Sequence, residues 1–246
     1  MRFADLHSHA LWGVDDGAKS EQEMYAMLDA AHADGVEVLC LTPHFHPGYF
    51  GEHGDQAALA FDALTRYAAE KYPGMRLYRG NELRYSPECL SWLESGACRT
   101  LNGTEHVLVD FHENEPERNI VRGLERLLSA GYKPVLAHAE RYRALHPRRI
   151  WELARNGVWI QIDVQSVFGV YGLGARLRSR SLLKKKLVDL VASDAHGTGR
   201  RSPILSRGFR VIERKYGAAY AEAIFAENPL RLLEGEGREG ATTNHE

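Results

Sequence analysis

The sequence has few cysteines, no long apolar run and almost no net charge. Cys40, Cys89 and Cys98 are too scattered for a disulfide framework, so we expect reduced thiols and a cytoplasmic protein. No stretch approaches the ~20 apolar residues of a membrane helix, and we expect neither a signal peptide nor membrane insertion. The formal net charge of −2 gives no general reason to expect nucleic-acid binding.

Composition is otherwise that of an ordinary globular protein. Hydrophobic residues make up 44% and charged residues 26% of a 246-residue chain, a length that suits one α/β domain of barrel size. We see no internal repeat and no linker. We therefore predict one domain over residues 1–234 and a polar, Gly-rich, disordered tail over 235–246.

Apolar runs and amphipathic segments alternate along the chain. Predicted strands lie at 1–6, 36–42, 76–83, 106–111, 134–139, 158–163 and 187–193. Predicted helices lie at 20–34, 56–72, 119–130, 148–156, 181–186, 204–216 and 218–227. Such alternation indicates a parallel sheet. We predict the α/β class and a distorted, TIM-like (β/α)7 barrel, because an open doubly wound sheet gathers fewer strand ends at one crevice.

Five patches of metal-ligand chemistry each follow a predicted strand. The patches are Asp5-Leu-His7-Ser-His9, Thr42-Pro-His44, Asn81-Glu82, Ala137-His138-Ala-Glu140-Arg141 and Ser193-Asp194-Ala-His196. A single patch would carry little weight. Because a barrel brings the carboxyl ends of its strands together, five such patches predict one site that holds several metal ions.

In two of these patches, every second residue is a potential metal ligand. Residues two apart on a strand point the same way, so His7 and His9 can reach one ion, and Asp194 and His196 form a second such pair. The carboxylate of Asp5 can accept a hydrogen bond from a ring N–H of one of these histidines and so orient the ligand.

Carboxylates complete the donor set. Glu82 at a strand end can bridge two cations, and Asp110 in an apolar run would be costly to bury without a partner. Asp15-Asp16-Gly17 is either a turn with an Asx bond or a source of one further ligand, and the spacing does not choose between the two acids. Mixed nitrogen and oxygen donors suit zinc, manganese or iron, and the absence of thiolates argues against a structural zinc site.

Two arginines follow ligand patches. Arg141 and Arg201 can each fork onto phosphate oxygens, although either alone would be interpreted as a surface charge.

Taken together, the motifs resemble the PHP (polymerase and histidinol phosphatase) family. Within it, the chain is similar to bacterial capsule-regulating tyrosine phosphatases of the CpsB/YwqE type over residues 3–232. The narrower resemblance depends on Val14-Asp15-Asp16-Gly17 after the first patch, on His138-Ala-Glu140-Arg141-Tyr142, on Asp194-Ala-His196 with Arg201 after it, and on Asn228-Pro229.

The resemblance implies a distorted seven-stranded barrel with three divalent ions, usually manganese, iron or zinc. Carried over by position, the three ligand groups are His7, His9, Glu82 and Asp194; Glu82, Asp110 and His138; and His44, His196 and Asp16. The similar enzymes usually have Glu at the position of Asp110. The counterparts of Arg141 and Arg201 bind substrate phosphate, and we count Asp16 with them as catalytic.

The expected activity is hydrolysis of phosphotyrosine on a protein, which we expect to be a tyrosine kinase that controls capsule or exopolysaccharide synthesis. No cysteine is followed by five residues and an arginine, so we predict no cysteine nucleophile. One alternative is a phosphatase for histidinol phosphate or another small ester. An alternative of another class is an inactive barrel that serves as a binding module.

Overall fold

Strands and helices alternate in a computed structural model, which describes residues 2–50 and 54–237. The strands are β1 (Phe3–Asp5), β2 (Val36–Leu41), β3 (His44–Phe45), β4 (Arg76–Arg79), β5 (Glu82–Arg84), β6 (His106–Asp110), β7 (Lys133–Leu136), β8 (Trp159–Asp163) and β9 (Leu190–Ala192). The helices are α1 (Glu21–Ala33), α2 (Gly54–Lys71), α3 (Cys89–Glu94), α4 (Glu117–Ser129), α5 (Pro147–Arg155), α6 (Val164–Phe168), α7 (Gly172–Lys184), α8 (Ser206–Tyr216), α9 (Ala218–Glu222) and α10 (Asn228–Leu233). A π-helical segment, Ala223–Glu227, joins the last two helices.

All pairs of these strands are parallel. One sheet has the order β1-β2-β4 and the other β3-β5-β6-β7-β8-β9. The peptide N–H of Asp194 donates to the carbonyl of His7 at 2.9 Å, so the end of β9 lies beside the end of β1. The fold is therefore α/β with a curled parallel sheet, and it brings the first and last predicted patches together.

The predicted strand 76–83 is interrupted, and this prediction was wrong in detail. Asn81 lies at the break between β4 and β5, where its side chain accepts from the N–H of Arg99 and donates to the carbonyl of Pro43. A Cβ on Gly80 would lie 2.8 Å from Leu101. Asn81 thus joins the end of β4 to two other segments of the chain at this break.

Helices were predicted best where a cap and an apolar stripe coincide. The Ser20 hydroxyl accepts from the N–H of Glu23 at 3.2 Å, as the capping spacing predicts, and α1 ends before Gly35. By contrast, α7 begins nine residues before the predicted 181. Gly172 and Gly174 in its first turn are poor helix formers and concealed this start.

Alternate strand residues divide the core in two. Leu39 and Leu41 face a cluster shared with the helices. Val38 and Cys40 join a second cluster from the opposite strand faces, which Leu232 of α10 closes. This division follows from the two-residue period of a strand. It supports the sheet from both sides below the strand ends.

The predicted tail begins within the described residues. Glu236 bonds through its N–H to the carbonyl of Arg231, and its carboxylate lies 3.1 Å from the guanidinium of the same residue. Residues 238–246, the greater part of the predicted disordered tail, lie outside the described residues. Among the helices of 2–50 and 54–237, none combines the length and apolar character of a membrane-spanning helix.

Gly17 provides a test of this packing, because a Cβ there would lie 1.9 Å from the carbonyl oxygen of His9. We expect Gly17→Ala to lower the free energy of unfolding by about 1–3 kcal/mol, the range of an overpacked site. Urea unfolding measures it. Gly74→Ala is the control, because nothing lies within 4 Å of its Cβ. Equal urea midpoints for Gly17→Ala and Gly74→Ala would contradict the close contact between Gly17 and His9.

Candidate metal centre

The five predicted patches converge on one side of the curled sheet. Glu82, Asp110, His138 and Asp194 line the same cavity of about 310 Å³, together with His44 and Arg141. Three groups of donor atoms in and beside this cavity, each drawn from distant parts of the chain, are close enough to share an ion.

His7, His9 and Asp194 form the first group. The Nε2 atoms of the two imidazoles lie 3.1 Å apart, and Asp194 Oδ1 lies 3.5 Å from the first and 3.4 Å from the second. Glu82 Oε2 lies 3.3 and 3.4 Å from the same two nitrogen atoms. All four side chains are buried. The alternating pair thus directs both imidazoles to one point.

Glu82, Asp110 and His138 form the second group. His138 Nε2 lies 2.9 Å from Glu82 Oε1. Asp110 Oδ2 pairs with Arg84 at 2.9 Å, a contact that sequence reasoning missed. Burial and the neighbouring Glu82 charge raise the pKa of Asp110 to about 8, against the opposing effect of Arg84. Donor atoms of Glu82, Asp110 and His138 lie within 4.8 Å of one another.

His9, Asp16, His44 and His196 form the third group. Asp16 Oδ1 lies 3.4 Å from His44 Nε2 and 3.2 Å from His196 Nε2. Burial alone would lower the pKa of His44, but the Glu82 carboxylate, 2.8 Å away, helps to raise it to about 9. Burial and the nearby His9 lower the pKa of His196 to about 4.

Asp15 and Asp16 have different surroundings. Asp15 Oδ2 accepts from His9 Nδ1 at 2.7 Å and from the N–H of His44 at 2.9 Å, so its carboxylate lies behind the site. Asp16 is 49% exposed and faces the imidazoles of His44 and His196. Of the two alternatives that the spacing left open, the geometry favours Asp16 as a donor and Asp15 as the residue that orients His9.

A divalent ion fits this donor set. Within residues 2–50 and 54–237, several buried atoms of the site make no hydrogen bond: Glu82 Oε2, Asp110 Oδ1, His138 Nδ1 and His196 Nε2. Burying such atoms without partners is costly. Imidazole nitrogen with carboxylate oxygen is the donor chemistry of zinc, manganese and iron.

Gln161 supports the donors from below. Its Oε1 lies 3.2 Å from His7 Nδ1 and accepts from the N–H of His138 at 3.0 Å. Asp5 does not contact the His7 ring, so that expectation was wrong: its carboxylate accepts from the N–H of His7 and of Ser193. A glutamine within the apolar strand Trp159–Asp163 was the available signal for this role.

Arg141 and Arg201 lie beside the first group and are not surface charges. Their side chains are 12% and 28% exposed, and both donate to Asp194 Oδ2 at 2.6 Å. Arg141 also pairs with buried Asp163. The Tyr171 ring, another residue that the sequence did not reveal, lies 3.8 Å from the Arg141 guanidinium carbon and 6.0 Å from that of Arg201.

Backbone conformation marks two of the donors. His138 and Asp194 have φ values of 35° and 49°, which side-chain-bearing residues rarely adopt. Each lies two residues after the end of a strand, His138 after β7 and Asp194 after β9. Such conformations cluster at functional sites, where the surrounding structure holds them.

The sequence comparison agrees with this geometry. A family model described as "Capsular polysaccharide synthesis, CpsB/CapC" matches residues 3–234. The chain belongs to the CpsB/CapC family.

Relatives in this family cover nearly the whole chain. The tyrosine-protein phosphatase CpsB of Streptococcus pneumoniae is 34% identical over 236 residues, which span 93% of this chain and 97% of the relative. The tyrosine-protein phosphatase YwqE of Bacillus subtilis is 28% identical over 234 residues, 94% of this chain and 92% of the relative.

Solved structures extend the likeness to three dimensions. This chain matches a chain from the crystal structures of YwqE from Bacillus subtilis and CpsB from Streptococcus pneumoniae, which are described as unique metal-dependent tyrosine phosphatases. The TM-score is 0.86 and the sequence identity 28%, and the match covers 95% of both chains. An organophosphorus hydrolase mutant matches with a TM-score of 0.61 at 14% identity, covering 94% of this chain and 92% of its own. That second likeness concerns the fold alone.

The different surroundings of Asp15 and Asp16 generate a prediction. Asp15→Ala leaves the His9 ring and the His44 N–H without their acceptor, so we expect it to cost about 1–3 kcal/mol of unfolding free energy. Asp16→Ala should cost less, because its side chain is half exposed. Urea unfolding of chelator-treated protein measures both variants without a contribution from metal. A larger cost for Asp16→Ala would reverse the assignment.

Proposed function

We propose that this chain is a metal-dependent protein-tyrosine phosphatase, a phosphoric monoester hydrolase. The observation that carries the proposal is the convergence of eight imidazole and carboxylate side chains of His7, His9, His44, Glu82, Asp110, His138, Asp194 and His196, with Asp16 at their rim, beside two guanidinium groups. The relatives named as tyrosine-protein phosphatases support it. A binding module without catalysis has no need of this donor set.

Three divalent ions are proposed, with manganese first and iron or zinc as alternatives. His7, His9, Glu82 and Asp194 hold one; Glu82, Asp110 and His138 hold the second; His44, His196 and Asp16 hold the third. Glu82 supports this division because its Oε2 lies 3.3 Å from His7 Nε2 and its Oε1 lies 2.9 Å from His138 Nε2. We also interpret the two sheets as one distorted (β/α)7 barrel, in which β2 continues into β3 and β4 into β5.

Divalent ions, when bound, lower the pKa of water and neutralise phosphate oxygens. The protein's own part is to place the phosphoryl group. Asp194 Oδ2 fixes one nitrogen of each guanidinium, and the buried Nε atoms of Arg141 and Arg201 have no partner within the described residues. Both side chains line the cavity, so their guanidinium groups can face a phosphate there, and their fixed orientation requires no rearrangement as charge develops.

The neighbours of the arginines restrict their motion. Asp163 and the Tyr171 ring contact Arg141 on different sides, and Arg178 donates to the carbonyl of Glu140 next to it. Partial burial alone would raise the pKa of Asp16, but the nearby imidazoles of His196 and His44 together lower it, so Asp16 is ionised at neutral pH. Its carboxylate is therefore ready to act as a ligand at the rim of the cavity.

The proposed substrate is a phosphotyrosine-bearing protein, and the proposed partner is a cytoplasmic tyrosine kinase domain of capsule or exopolysaccharide synthesis. The description of the family as one of capsular polysaccharide synthesis supports this assignment.

Chelation tests the proposed function. We expect removal of metal to abolish hydrolysis of a phosphotyrosine peptide and added Mn²⁺ to restore it, because no cysteine motif offers a metal-independent route. Steady-state kinetics should also favour the phosphotyrosine peptide over histidinol phosphate. Full activity in metal-free protein would overturn the metal proposal, and preference for histidinol phosphate would overturn the substrate class.

Arg201 provides the cleaner test of phosphate recognition, since removing Arg141 would also leave buried Asp163 unpaired. We expect Arg201→Ala to lower kcat/KM by roughly 2–4 kcal/mol of transition-state stabilisation. Arg201→Lys should recover part of the loss, since lysine offers a point charge without a planar fork. Bound metal should not change.

The control is Arg214→Ala, which removes an exposed arginine of α8 and should keep wild-type kinetics. Unchanged kcat/KM in Arg201→Ala would place the phosphate site elsewhere.

A further inference from the structure

A groove lined by arginines extends from the metal-site cavity along helix α4. It encloses about 610 Å³. Arg84, Phe111 and His112 line both the groove and the cavity, so the two adjoin. Arg122 and Arg126 of α4 line the groove but not the cavity. The groove therefore lies next to the place where the proposed phosphorylated residue enters.

The outer groove has an excess of positive charge. Arg122 and Arg126 are exposed and one helical turn apart. Arg126 donates to the carbonyl of Pro87 at 2.7 Å, which holds its guanidinium over the groove without neutralising it. Within residues 2–50 and 54–237, neither arginine forms an ion pair. Glu115 is the one acid among the lining residues of the described chain, and its carboxylate accepts from Asn119 at 2.6 Å.

The wall beneath these charges is rigid and apolar. The rings of Tyr85 and Phe111 stack with centroids 5.0 Å apart. Gly123 brings α4 directly against them, since a Cβ there would lie 2.8 Å from Phe111 and 2.9 Å from Tyr85. The arginines thus project from a helix with a fixed position. Positive charge on such a surface selects a partner by complementarity.

We propose that the groove binds acidic residues that flank the phosphotyrosine of a protein substrate, an inference that depends on the phosphatase function proposed above. An extended peptide advances about 3.3 Å per residue, so side chains one to three positions from the phosphotyrosine lie within roughly 10 Å of it. Carboxylates at those positions meet Arg122 and Arg126, while the phosphoryl group lies beside Arg141 and Arg201.

The test compares three phosphotyrosine peptides that differ only in the residues on both sides of the phosphotyrosine: Glu, Gln or Lys. We expect the kcat/KM of the wild-type protein to be roughly tenfold higher for the Glu peptide than for the Gln peptide, mainly because KM is lower. An exposed ion pair contributes about two- to fivefold, and two such pairs form here. The ratio should shrink as salt increases. In Arg122→Glu/Arg126→Glu, the order should reverse and the Lys peptide should be preferred.

Arg214→Glu is the control for charge, because Arg214 is an exposed arginine of α8 outside the groove. It should keep the wild-type Glu-to-Gln ratio. Equal kcat/KM for all three peptides, or an unchanged ratio in the double variant, would overturn the inference and leave the phosphatase function intact. No hydrolysis of any phosphotyrosine substrate by metal-loaded wild-type protein would instead overturn the proposed function.

Discussion

Buried negative charge is the constraint on which the rest of this structure depends. Glu82, Asp110 and Asp194 lie almost fully buried within one cavity. Ionised carboxylates in such a place are costly unless cations compensate them. Arg84 pairs with Asp110, and Arg141 and Arg201 pair with Asp194, while burial and the Glu82 charge raise the pKa of Asp110. A centre for divalent ions answers this need.

Hydrogen bonds from neighbouring residues fix the orientation of the donor side chains. Gln161 and Asp15 bond the rings of His7 and His9, and Asp5 bonds backbone N–H groups at the ends of both β1 and β9. Asp194 contributes one oxygen to the donor group and the other to two arginines. One carboxylate therefore contacts both the candidate metal donors and the two arginines.

Much of this arrangement could be predicted because it depends on local periodicity. His7 and His9 alternate just after β1 and direct their imidazoles to one point, as the two-residue period of extended backbone predicts. The predicted pairing of Asp194 with His196 is not found in this form, because Asp194 has a φ of 49° beyond the end of β9 and the two side chains lie in different donor groups. Strand ends collect in a barrel, which predicts that distant patches meet. The capping residue Ser20 and the stop at Gly35 depend on interactions within a few residues, and sequence reasoning found both.

Contacts between distant residues were not predictable in the same way. Arg84 pairs with Asp110 and Tyr171 packs on Arg141, yet nothing in the neighbouring sequence of any of these residues indicates the partner. The break between β4 and β5 depends on Asn81 bonding to Arg99 and Pro43, which are remote in sequence.

The most direct test of the central claim is anomalous X-ray diffraction from crystals of the Mn²⁺-loaded protein. Peaks beside His7 and His9, beside Asp110 and His138, and beside His44 and His196 are the predicted result, and a cavity that holds only water would contradict it.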